Sequence, residues 1–338
     1  MRVILAIILY LAPSLSFALA DHTVDQIVEE HVLPGYTELV ATSSTLAQTA
    51  TDDCSRASPT LQAAYHETFD AWITVSHLRF GPSELNNRAF SMAFWPDPRG
   101  KTPKALRRMI SARDDVVDDE QGFAQISVAA RGIYALERLL FDPSFDVEED
   151  SAYTCKLVIA IARDIARTAT DLLEDWRARY AEQMISAGRK GSLYRTPLEA
   201  EKELLTALEA GLETTSAMRL GRPMGTFDRP RPKRAEARLS GRSVRNVQLS
   251  LTALREMTSM LATAHPAVAR SLDQAFANAL EAAKRFESDP VFTSVATIDG
   301  RLQVEILKQS VERVAEIVLT ELSPALGITP GFNALDGD

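Results

Sequence analysis

The chain has 338 residues, with 37 basic side chains against 46 acidic ones and a net charge of -9. That balance disfavours a nucleic-acid partner, whose phosphates require a basic face. Two cysteines with no Cys-x-x-Cys give no sign of a redox centre, and the five histidines show no ligand spacing of a zinc site.

The first twenty residues read as a signal peptide. Arg2 supplies a positive start, Val3 to Ala12 is almost wholly apolar, and Ala18-Leu19-Ala20 has the small-x-small form of a cleavage site. The apolar run is too short to span a bilayer, no Cys marks a lipid anchor, and no later stretch suits a transmembrane helix. An exported chain with a lone pair of cysteines predicts one disulfide, Cys54 to Cys155, the alternative being two free thiols. The remaining roughly 320 residues exceed one comfortable core, so two domains are expected, 21–190 and 191–338.

Helical periodicity dominates, and no run alternates long enough to predict a strand. Helices are expected over about 23–50, 59–80, 103–112, 121–140 and 151–187, then 197–219, 242–263, 266–287 and 300–321. Ser58-Pro59, Thr102-Pro103 and Thr196-Pro197 each place an N-cap residue before a first-turn Pro. Gly188 and Gly191 break the two halves, and His265-Pro266 marks a corner between helices. One irregular segment, 221–241, carries Arg222, Arg229, Arg231, Lys233, Arg234 and Arg238 among three prolines. A connector this long is either a solvated linker or a functional loop.

Three places carry candidate chemistry. His66, Asp70 and His77 fall on one strip of the predicted helix 59–80, but His77 lies roughly 16 Å along the axis from His66, so the three cannot share one ion. Phe94-Trp95-Pro96-Asp97 sets two large aromatics and a carboxylate in a loop, where they either plug a core or line a pocket. Gly132-Ile133-Tyr134-Ala135-Leu136-Glu137 puts an ionisable group on an apolar helix, where it needs a partner. Tyr134 and Glu137 are three apart and so share a face. The expected neighbours of Glu137 are Tyr134 and the 236–242 region, with Arg238 or Arg242 as counter-charge. There is no His-Glu-x-x-His, Gly-x-Ser-x-Gly or phosphate-binding glycine loop.

Together these pieces resemble the imelysin family of exported bacterial proteins. The resemblance rests on Ala71-Trp72, Phe80-Gly81-Pro82, Phe94 to Asp97, Gly132 to Phe141, Arg231-Pro232 through Glu236, Ser240 to Ser243 and the tail Gly331 to Asp338. It implies an all-α fold of two helical-bundle domains with a cleft between them, a periplasmic location and a tie to iron uptake. The segment from Gly132 matches the family's Gly-x-His-x-x-Glu signature except that Tyr134 replaces the histidine, while Glu137 matches and is the candidate metal ligand. A phenolate suits ferric iron but binds zinc poorly at neutral pH, since its proton leaves near pH 10.

The expected function is therefore a periplasmic, non-catalytic binding or interaction protein with a polar pocket at the domain interface. Its ligand or partner is a small molecule, a metal or a periplasmic protein, with iron the implied cofactor. The expected binding set is His77, Trp95, Asp97, Tyr134, Glu137, Glu236, Arg238, Ser240 and Arg242. The alternative is an iron-binding accessory of iron uptake built on Glu137, Tyr134, His77 and Asp97. A metallopeptidase stands third, because hydrolysis needs an activated water and no residue set here supplies one.

Overall fold

The computed structural model describes residues 23–148 and 151–328. The leader and the Gly331–Asp338 tail lie outside the described residues. All regular structure among the described residues is helical, apart from one isolated bridge between Thr226 and Arg229. The principal helices are α1 (Leu33–Asp52), α2 (Pro59–Val75), α3 (Lys101–Ala112), α4 (Gly132–Phe141) and α5 (Ser151–Asp175), then α6 (Pro197–Glu213), α7 (Ser243–Leu261), α8 (Pro266–Lys284) and α9 (Ile298–Ile317). Wide π turns continue four of them: Val28–Val32 leads into α1, Trp176–Tyr180 follows α5, Thr214–Leu220 follows α6 and Val318–Leu322 follows α9.

The apolar stripes of the sequence become the packing faces. Tyr36, Leu39, Leu46 and Ala50 of α1 are buried at helical spacing, where α1 packs against α2 and α5. Helix α4 lies on α5, while α6, α7, α8 and α9 pack as neighbours, and α2 meets α7. That last contact joins residues before and after the Gly188 break. Cys54 and Cys155 are bonded, with Cα atoms 5.2 Å apart, fastening the loop after α1 to the first turn of α5. No helix among the described residues is long and apolar enough to cross a membrane.

Most predicted helix starts are observed, and their capping chemistry is visible. Ser58 accepts from the Leu61 amide and Thr196 from the Glu199 amide, while α8 begins at Pro266 behind His265. Three expectations are corrected. Thr102 is not a cap: α3 starts at Lys101, and the two carboxylate oxygens of Asp97 accept from the amides of Lys101 and Thr102. The helix expected over 59–80 stops at Val75, and Phe80 is fully extended, so His77 lies beyond the helix end.

The helix expected over 121–140 is broken. A short turn, Glu120–Phe123, is followed by Ser127 accepting from the Ala129 amide, then by an extended Arg131. The break has a cause in packing. The Arg131 guanidinium is drawn to Asp164 of α5 by paired bonds of 2.8 and 2.9 Å and to the Ala124 carbonyl at 2.5 Å. Gly132 then turns at φ +74°, where a side chain would strike the carbonyl oxygens of Ser91 and Met92. The glycine of the signature is thus required by how closely this turn approaches its neighbour.

Candidate functional site

Helix α4 aims Tyr134 and Glu137 at one irregular stretch, residues 235–242, in which Ala235, Glu236 and Ala237 are buried. The two side chains share a face as predicted but find different partners. The Tyr134 hydroxyl donates to Glu236 Oε1 at 2.5 Å. Glu236, only 2% exposed, accepts from Arg219 Nε on its other oxygen at 2.8 Å. Arg219 in turn donates to Ser250 Oγ at 3.0 Å and Thr215 Oγ1 at 3.3 Å. The π turn after α6 presents Arg219 and Thr215 together, so a backbone irregularity builds this network.

Glu137, 5% exposed, accepts from the Ser240 amide at 3.0 Å and from the Ser240 hydroxyl at 2.8 Å. The expected counter-charge is not there. Arg242 instead turns to α2, donating to His66 and ion-pairing with Asp70, which also accepts from Arg245 at 2.9 Å. Arg238 lines the cavity beside Glu137 without pairing to it. Removing Glu137 therefore strands an amide and a hydroxyl, not a cation.

Burial, opposed by the Ser240 bonds, raises the Glu137 carboxyl above its usual range. Burial first, and then the Glu236 carboxylate, push the Tyr134 phenol well above its usual value. For Asp70, desolvation works upward, but the bonds from Arg245 and Arg242 outweigh it and lower the carboxyl.

Trp95 stands against this helix, its ring stacked on Tyr134 at 6.3 Å between centroids and 24° between planes. The Arg222 guanidinium covers it at 5.7 Å from the ring centroid. Two cavities share the Trp95 and Tyr134 wall. One, of about 90 Å³, reaches His77, Arg79, Arg219 and Glu236. The other, of about 190 Å³, opens between Glu137, Arg222, Arg234 and Arg238. Asp97 borders the second, but its oxygens are committed to capping α3.

His77 is set apart from His66 and Asp70. Its Nε2 lies 3.2 Å from His31 Nε2, and His31 Nδ1 is 3.4 Å from Glu256 of α7. Sequence reasoning missed His31 as its partner, because only the π turn at Val28–Val32 carries His31 to that depth. Arg219 was also missed; its one signal was a cation among Leu212, Thr215, Ser216 and Leu220.

Burial first, then His31 and Arg219, hold the His77 imidazole well below its ordinary 6.5. The folded protein keeps His77 neutral, whereas the unfolded chain takes up a proton below pH 6.5, so stability falls as pH drops through that value. We expect a loss of up to about 1.4 kcal/mol per further pH unit from this group, absent in His77→Gln. Thermal melts of both proteins from pH 7.5 to 5 give the answer. A gap between them that does not change with pH would show that His77 titrates normally.

The residues do not fit a resident divalent metal at the signature. Tyr134 donates to Glu236, Glu137 already accepts two bonds from Ser240 on Oε1, and among the described residues no three His, Cys, Asp or Glu side chains converge on a point.

Fold and site define an all-α protein with a buried, proton-holding Tyr-Glu-Arg network beside an aromatic-walled cavity. The chain belongs to the imelysin family, whose model, described as Imelysin, matches residues 32–318. It is 22% identical over 329 residues to Iron-regulated protein A of Synechococcus elongatus, covering 90% of this chain and 86% of that one. An imelysin-like protein from Psychrobacter arcticum shares its fold, with a TM-score of 0.75 at 19% identity, covering 97% of this chain and all, 100%, of the other. The structure of a candidate iron-regulated protein A precursor from Parabacteroides distasonis gives a TM-score of 0.74 at 12% identity, covering 89% and 94%.

Proposed function

We propose that this chain is an exported, periplasmic binding protein connected with iron, non-catalytic, whose ligand enters the cavity walled by Trp95 and Tyr134. In this reading the chain divides into two helical domains, 21–190 and 191–338, and the ligand sits where they meet. The single observation that carries it is the composition of that wall. Across the two cavities that share it, Trp95, Tyr134 and Glu137 come from the first half and Arg219, Arg222 and Glu236 from the second, and each acid among them already accepts a hydrogen bond. A carboxylate fixed by an amide and a hydroxyl is poorly placed to activate water, but it gives a cavity a rigid polar floor. The iron connection draws on the names of the relatives in Synechococcus elongatus and Parabacteroides distasonis.

Equilibrium dialysis against ferric nitrilotriacetate, with casein hydrolysis measured in parallel, tests the reading. We expect retention of up to one iron per chain, reduced at least tenfold in affinity by Trp95→Ala. No phenolate absorption band is expected, since Tyr134 keeps its proton on Glu236. Absence of retained iron would remove the iron connection, and metal-dependent proteolysis lost in Glu137→Gln would replace binding with catalysis.

A further inference from the structure

The cavity between Trp95 and the 222–239 segment holds a charge pattern that the proposed function leaves unused. Five cations line it, and only Arg138 has a carboxylate partner, Asp142 at 2.8 Å. The side chains of Arg222, Lys233, Arg234 and Arg238 have no ion pair or hydrogen bond among the described residues. The two acids on the same wall do not pair with them: Asp97 caps α3 with both oxygens, and Glu137 accepts from Ser240 on Oε1. This concentration of positive charge sits on a protein whose net charge is -9.

Exposed lysines and arginines ordinarily need no partner, and Lys233 and Arg234 are exposed. Arg222 is different. It lies over the Trp95 ring, its Nε is shut off from solvent with nothing to bond, and desolvation followed by the neighbouring Arg234 lowers its basicity. A buried donor left unsatisfied and crowded by a like charge is costly unless an anion completes the site.

We infer that the ligand of this cavity is a small polyanion bearing carboxylate or phosphate groups, gripped by Arg222, Arg234 and Arg238 above the face of Trp95. The inference rests on the reading of this cavity as the ligand site and names the ligand's chemistry. Guanidinium forks match the paired oxygens of either group, and the Trp95 ring supports the Arg222 guanidinium on the cavity wall.

Calorimetric titration of the full mature chain with iron-free citrate and, separately, pyrophosphate tests it at low ionic strength. We expect one of the two to bind one to one, to weaken about tenfold or more in Arg222→Gln and in Arg234→Gln, and to weaken as salt is raised. Arg189→Gln, in the exposed turn after α5, should leave the affinity unchanged. Binding of citrate alone marks a carboxylate ligand, and of pyrophosphate alone a phosphate ligand; either supports the inference. Arg234 is exposed and its loss should not impair folding, so a folding defect in Arg222→Gln leaves the test intact. No heat with either anion, or equal affinity in both variants, overturns it. Iron retention that needs Trp95 but ignores both arginines would sink this inference alone. Arginine-dependent anion binding without iron retention would sink the iron connection alone.

Discussion

Glu236→Ala should destabilise the protein by about 3–5 kcal/mol, because it leaves a buried cation without its counter-charge. The Arg219 and Glu236 side chains are 6% and 2% exposed, and the carboxylate also accepts a hydrogen bond from the Tyr134 hydroxyl at 2.5 Å. Its removal leaves a guanidinium and a phenol without their acceptor in one apolar neighbourhood, lined by Phe69 and Trp95 against Tyr134. Arg219→Ala should cost a similar amount for the mirror reason. The double replacement Arg219→Met with Glu236→Leu should cost much less than the sum, since no charge is then left alone. Urea unfolding of the four proteins decides. Single variants within about 1 kcal/mol of the parent would mean that the network is solvated and contributes little.

Loss of the Cys54–Cys155 bond, as Cys54→Ser with Cys155→Ser, should remove about 4–5 kcal/mol in the chain-entropy model. The bond closes a loop with a sequence separation of 101. Its effect falls mainly on the unfolded chain, because α1 and α5 already pack against each other in the fold. The double variant should therefore keep its helical circular dichroism while its denaturant midpoint drops. Its urea dependence should steepen as the unfolded chain becomes more open. An unchanged midpoint, or two titratable thiols in the unreduced denatured parent, would refute the bond's role.

The outline of the fold was legible because helix formation is largely local. Apolar spacing marked the helices, Ser58-Pro59 and Thr196-Pro197 marked two starts, and Gly188 with Gly191 marked the turn after α5. The errors share one cause. Periodicity carries across a break whenever the break is imposed from outside the segment. Arg131 leaves the helical path to meet Asp164, thirty-three residues on, and Gly132 bends under the carbonyls of Ser91 and Met92. Nothing within 121–140 reports those neighbours. The π turns that present His31 and Arg219 are similarly silent in a pattern read at 3.6 residues per turn.

The site divides in the same way. By itself the sequence marked Glu137 as a buried acid in need of a partner and the two cysteines as a candidate pair. Each follows from composition on a local element or from the cost of burying charge. Only the tertiary structure decided which donor each acceptor received. Ser240, not an arginine, holds Glu137; Arg242 goes to Asp70; and Tyr134 reaches past Glu137 to Glu236. Partner choice depends on distances of a few ångströms between segments a hundred or more residues apart, set by where α4 meets the stretch from Ala235 to Arg242. A hydrogen bond discriminates at that scale, and a sequence pattern does not.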